Sequence, residues 1–155
     1  MKKKKRSVGR IINRRARYDY DLGDEFVMGL ALTGPETKAL RLGHGQLSGA
    51  YVTDKDGELW LIGAQIMSSP TLPINEQEQI RSRKLLAKRA EIDKIIAARR
   101  AGLSAIPLEL LTKGRYIKLR LSIGKGKKRY DKRETIKRRQ QEREAARAIR
   151  SANAL

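Results

Sequence analysis

The 155-residue chain contains no cysteine, so disulfides and thiolate metal sites are excluded. That fits a reducing compartment, and a cytoplasmic location is expected. It has one histidine, His44, which leaves almost no material for a histidine-based zinc site or a Ser-His-Asp relay. No apolar run approaches the roughly 18 residues a membrane-spanning helix needs. The basic start, Lys2-Lys3-Lys4-Lys5-Arg6, could open a signal peptide. Arg10, Asn13, Arg14 and Arg15 follow where an apolar stretch would be required, so export is not expected. Acidic residues are missing from the first 17 positions.

What is present is positive charge, unevenly placed. The net charge is +19. Residues 1–17 hold nine Lys/Arg and no acid, and residues 124–155 hold twelve Lys/Arg against four acids. The stretch 18–123 is nearly neutral, with fifteen basic and thirteen acidic residues. An ordinary solvated surface mixes the signs throughout. Basic arms on a balanced body point to a polyanion, most simply nucleic acid. A membrane surface would call for Trp, Phe and Leu on one helix face, and neither arm has them.

The middle reads mostly as strands. Residues 26–32 form an apolar run closed by Thr33-Gly34-Pro35. Residues 36–42 have helical spacing, with Pro35 in the first turn and Gly43 as the stop. Strands at 47–53 and 58–63 flank Asp54-Lys55-Asp56-Gly57, an Asp-Gly hairpin signal, and the second continues towards 67. The stretch 68–80, with Pro70 and Pro73, reads as a surface loop, and 84–88 as a short strand. Ile92, Ile95 and Ile96 mark a helix over 91–101 that Gly102 closes. Strands at 104–111 and 116–123 enclose the turn Lys113-Gly114-Arg115; Ile117, Leu119 and Leu121 alternate with Tyr116, Lys118 and Arg120. The expected fold is mainly β with helices: an oligonucleotide-binding (OB-type) small barrel of about six strands and two or three helices, plus a basic C-terminal tail. The expected division is a basic arm at 1–12, an RNA-binding barrel at 13–123 and the tail at 124–155.

In the tail, 124–129 is expected to be flexible, and Asp131 with Glu134 could form a capping box. From there to Arg150, Lys, Arg, Glu, Gln and Ala favour helix, yet Ile136 and Ile149 are the only sizeable apolar side chains. The tail is therefore expected to be disordered alone and helical on a partner.

Four constellations are candidates for RNA contact, and each can also be read from its residues alone as an ordinary packed or solvated surface. Asn13-Arg14-Arg15-Ala16-Arg17-Tyr18-Asp19-Tyr20 interleaves guanidinium forks, which bond phosphate oxygens in pairs, with rings that stack on unpaired bases. In Gly34-Pro35-Glu36-Thr37-Lys38-Ala39-Leu40-Arg41, Lys38 and Arg41 share a helix face. Arg81-Ser82-Arg83-Lys84-Leu85-Leu86 is a basic patch. Gly124-Lys125-Gly126-Lys127-Lys128-Arg129-Tyr130-Asp131-Lys132-Arg133-Glu134-Thr135-Ile136-Lys137 combines backbone freedom, charge and one stacking ring.

In this order and spacing, from about residue 10 to 145, these motifs resemble the family of bacterial SsrA-binding proteins (small protein B), the partners of transfer-messenger RNA in ribosome rescue. The resemblance implies an OB-type barrel that grips the tRNA-like domain of that RNA and enters a stalled ribosome with elongation factor Tu. A C-terminal tail would read the empty mRNA channel, in trans-translation. Carried over by position, Asn13, Arg14, Arg15, Arg17, Tyr20, Glu36, Lys38, Arg41, Arg83 and Lys84 become the expected RNA-binding residues. Glu36 would either accept hydrogen bonds from base edges or hold a basic neighbour. Lys125, Lys127, Lys128, Tyr130, Asp131, Lys132, Arg133 and Lys137 become the ribosome-facing residues, with Tyr130 stacking at the decoding centre. Tyr18 stands where the family more often has histidine, Val27 where an acid is usual, and His44 where lysine is frequent. The 68–80 loop is short and acidic for its place, so contacts around it and around Val27 are expected to differ.

No catalytic residue, cofactor or metal is expected, and the chain is read as a monomeric binding factor rather than an enzyme. Asp54, Asp56 and Glu58 could be taken as metal ligands of an RNA nuclease, but their placement around an Asp-Gly turn favours an exposed hairpin. The alternative function is a structural ribosomal or general rRNA-binding protein.

Overall fold

A computed structural model describes residues 9–153, without the side chains of 129–131. The described elements are β1 (Arg10–Ile12), α1 (Ala16–Asp19), β2 (Tyr20–Leu30), α2 (Gly34–Arg41), β3 (Gly45–Gln46), β4 (Tyr51–Lys55) and β5 (Glu58–Ile62). Then follow β6 (Gln65–Ile66), α3 (Glu76–Gln79), β7 (Arg83–Leu86), α4 (Arg89–Arg100), β8 (Ser104–Leu111), β9 (Lys118–Gly126) and α5 (Arg129–Asn153). Six strands close a ring in the order β8-β4-β5-β7-β2-β9, with β9 pairing back onto β8. This is the OB-like barrel that the strand pattern implies. Closure leaves no long open edge to pair with another chain.

The alternation of the strands fills the barrel. Val52, Leu59, Leu61, Leu85, Leu119 and Leu121 are each at most 2% exposed, and α4 adds Ile92, Ile95 and Ile96. Each such side chain contributes about 1.5–3 kcal/mol of burial. β8 is covered on both faces. Its Ala105 and Leu110 join the barrel core, while Ile106 and Leu108 form a second cluster with Ala16, against which Tyr20 and Leu22 pack. A register irregularity between Pro107 and Glu109 makes that switch of faces possible.

Several boundaries differ from the pattern-based reading, each for a local reason. β2 begins at Tyr20 rather than near residue 26, because the polar stretch before Phe26 pairs with the end of β9 through a register shift between Leu22 and Glu25. The expected strand at 47–53 begins only at Tyr51: residues 47–50, with Gly49 at φ 77°, turn the chain between β3 and β4. The hairpin turn tightens to two residues, Asp56 and Gly57, both at positive φ (52° and 76°), and β4 reaches Lys55. The loop 68–80 contains the short helix α3, capped by Asn75. The helix α2 starts at Gly34 because Thr33 caps it, its Oγ1 accepting from the Glu36 N–H.

The tail differs most. Residues 124–126, expected to be flexible, are the last rungs of β9, opposite Leu22, Asp21 and Tyr20. A Cβ at Gly124 would lie 2.6 Å from the Asp21 carbonyl oxygen, so this glycine serves a strand-to-strand approach. The helix α5 starts at Arg129, two residues before the expected cap at Asp131. It is continuous to Asn153. Its composition has high helix propensity, and it meets the body at α1.

Candidate nucleic-acid interface

The motif at 13–20 folds as a bracket on the outside of β8. The Asn13 backbone N–H donates to the Leu108 carbonyl (2.7 Å) and its Nδ2 to the Pro107 carbonyl (2.9 Å). Asn13 is therefore buried, with its Oδ1 left without a partner, and is a pin rather than a surface contact. The single turn α1 then throws Arg14, Arg15 and Arg17 outward, all exposed, while Ala16 plugs the cluster below. Arg15 stands over the Tyr18 ring at 5.8 Å and 3.6 Å from Asp19. Tyr20 is half-buried against that cluster. Asn13, Arg15 and Ala16 line a cavity of about 370 Å³ that also includes Tyr51, Arg99 and Ile106. Tyr51 is 51% exposed and brings a second ring to this face. The RNA-binding set expected from sequence does not include Tyr51.

Two expected RNA contacts lie inside the protein. Glu36 and Arg83 are each 1% exposed. Glu36 accepts from Arg81 (2.7 and 3.0 Å) and from Arg83 Nε (3.1 Å). Arg83 spends its other donors on the carbonyls of Ala64, Glu78, Gln79 and Arg81. Burial lowers the Arg83 pKa from its ordinary value, and the Glu36 hydrogen bond and charge oppose that. Of the two roles open to Glu36, the structure gives it the basic neighbours. The pair ties α2 to β7 and to the loop around α3. Neither can reach RNA at the surface, because every polar atom that could do so is already engaged or enclosed.

Arg41 is a brace as well, its guanidinium donating to the carbonyls of Thr112 and Arg115 at 3.0 Å each. Lys38 is exposed on α2, and Lys84, half-buried on β7, lies across from Trp60. Tyr116 is 67% exposed with Arg115 5.5 Å from its ring, a second aromatic and cation pair that strand alternation alone did not single out. Val27 and Leu86 are also exposed, at 43% and 52%. Asp54, the leading member of the suspected metal cluster, pairs with Arg99, and among the described residues no group of three His, Cys, Asp or Glu is placed to hold a metal.

The tail motif meets the 13–20 motif directly, because β2 and β9 are paired. The Lys127 N–H donates to the Asp19 carbonyl (2.9 Å), and its Nζ to the Arg17 carbonyl (3.0 Å) and Thr135 Oγ1 (3.3 Å). Lys132 Nζ is 3.3 Å from Asp19 Oδ1 and 5.9 Å from the Tyr18 ring centre. Lys125, Lys128, Arg133 and Lys137 are exposed. The side chains of Tyr130 and Asp131 lie outside the described residues. Two stretches more than a hundred residues apart thus form one basic surface.

Comparison with known proteins gives the chain its family. A family model described as SmpB protein matches residues 10–151. The SsrA-binding protein of Coxiella burnetii (strain Dugway 5J108-111) is 42% identical over 142 residues, covering 90% of this chain and 89% of that protein. The SsrA-binding protein of Burkholderia thailandensis is 43% identical over 144 residues, covering 92% and 97%. A solved structure described as "tmRNA-SmpB: a journey to the center of the bacterial ribosome" superposes with a TM-score of 0.66 at 32% identity, over 83% of this chain and 95% of that one.

Proposed function

Because the chain belongs to the SmpB family, we propose that it binds the tRNA-like domain of transfer-messenger RNA and brings it to stalled ribosomes in trans-translation. The observation that carries this reading is the joining of the 13–20 and 124–137 motifs into one basic surface on an OB-like barrel. Arg14, Arg15, Arg17, Tyr20, Lys38 and Lys84 are the RNA-facing groups. Asn13, Glu36, Arg41 and Arg83 hold the elements that present them. Guanidinium–phosphate pairing supplies affinity, and rings stacked on unpaired bases supply selectivity. No covalent step is involved, so the protein is a binding factor and not an enzyme.

The tail from 124 is the ribosome-facing part, with Lys125, Lys128, Tyr130, Asp131, Arg133 and Lys137 directed to the decoding centre and mRNA channel. Beyond Gln141, the last residue it sets beside Asp21 and Lys127, α5 holds its helix only against that partner. Support for this comes from its exposed Lys/Arg/Glu/Gln surface, with Ile136 and Ile149 at 42% and 62% exposure. Strong helicity of a 124–155 peptide in plain buffer, by circular dichroism, would contradict it. Elongation factor Tu accompanies the complex in the cytoplasm, and the protein enters it as a monomer.

Filter binding to the tRNA-like domain, with alanine tRNA as competitor at near-physiological salt, tests the reading. A clear preference for the transfer-messenger fragment is expected. Equal binding that collapses for both as salt rises would put the general rRNA-binding alternative ahead. For the tail, Tyr130→Ala should leave RNA affinity within a few fold and slow rescue of stalled ribosomes sharply. A normal rescue rate would remove the stacking role.

A further inference from the structure

The basic residues of the tail motif do not all face away from the body. Lys132 sits at the first turn of α5, with its ammonium 3.3 Å from Asp19 Oδ1 and 5.9 Å from the centre of the Tyr18 ring. Asp19 and Lys132 are partly shielded, with side-chain exposures of 28% and 34%. One turn away, Lys127 fixes the chain by main-chain and side-chain bonds to Asp19 and Arg17. Lys127 also reaches forward to Thr135, and so spans the junction between β9 and α5. The same Asp19 carboxylate has Arg15 on its other oxygen at 3.6 Å. One acid therefore stands between a guanidinium of the RNA-facing bracket and the base of the tail helix.

We infer that Asp19 and Lys132 are positioning residues: their ion pair, with Tyr18 beneath it, sets the direction in which α5 leaves the barrel. Lys132 then belongs to the joint and does not contact the ribosome. The pair also links the two surfaces of the proposed function. A phosphate that takes Arg15 frees Asp19 for Lys132 alone, so RNA bound at the bracket firms the joint. The geometric part of this inference stands without the functional reading. The coupling part rests on it.

The test uses the full chain, which has no native cysteine to interfere with labelling. Spin labels at Lys94→Cys on α4 and Gln140→Cys on α5 report the body-to-tail distance by pulsed electron resonance. A narrow distribution is expected, broadened by Lys132→Glu and narrowed again by combining Asp19→Lys with Lys132→Glu. Equal distributions in all three would overturn the joint, whatever the protein binds. In rescue assays Lys132→Glu is expected to slow the reaction by about fivefold, the scale of a partly exposed pair. Its affinity for the tRNA-like domain should change far less, and the charge exchange should restore most of the rate. A Lys132→Glu defect that the exchange leaves untouched, with distances restored, would mean that Lys132 contacts the ribosome itself and would overturn the assignment. Loss of all RNA preference, with the distance pattern as expected, would remove the functional reading and keep the joint.

Discussion

In the barrel, Glu36 is 1% exposed and satisfied by two arginines, while along α5 almost every described side chain beyond Thr135 faces solvent. Both regions are rich in Arg, Lys and Glu, yet the charges do unlike work. Enclosed, they are hydrogen-bonded to saturation and fix the relation of α2, β7 and the loop before it. Outside, they have few fixed partners and remain available to a polyanion. The lesson is that in a chain of this charge the function of an arginine is decided by what surrounds it. Arg83 and Arg14 would be interchangeable in a composition count, and only Arg14 is open to solvent.

The largest effect expected from breaking this contrast is at the buried pair. Glu36→Ala leaves Arg83 enclosed without its counter-charge and should destabilise the fold by about 3–5 kcal/mol, measured by urea unfolding. If stability were unchanged and only RNA binding fell, Glu36 would be acting at the surface after all. Gly124→Ala comes next. Its new methyl group meets the Asp21 backbone, and a loss of about 1–3 kcal/mol is expected by the same measurement, with the β2–β9 seam the first to open. A wild-type unfolding curve would mean that the seam yields freely. The smallest effect belongs to the exposed tail. Arg143→Ala should leave stability within about 0.5 kcal/mol. A large stability loss there would show α5 to be packed on the body.

Much of the barrel was legible because its strands alternate cleanly: Ile117, Leu119 and Leu121 are all buried, as their spacing requires. The Thr33, Pro35 and Gly43 punctuation likewise located α2 to within two residues. What could not be read were the contacts between distant segments. Tyr20 to Glu25 are too polar to suggest a strand, and they become one because β9 lies beside them. The basic look of Arg81-Ser82-Arg83 hides an interior pair, since nothing local reveals that Glu36 lies across the fold. The glycines of the tail motif suggested freedom, whereas Gly124 answers to the Asp21 backbone. Asp19 carried no signal at all, being one acid among arginines, until the tail came to rest on it.

The strand that closes the barrel is also the strand from which the tail emerges. β9 is bonded along one side to β2 and along the other to β8, over most of its length. A pull on α5 directed along β9 therefore acts on two ladders in shear, with many hydrogen bonds sharing the force at once. Peeling one rung at a time would need a sideways pull. In mechanical terms the tail is anchored like a rope spliced into a wall, so a particle that drags on it while moving past would shift the whole barrel before it stripped the strand.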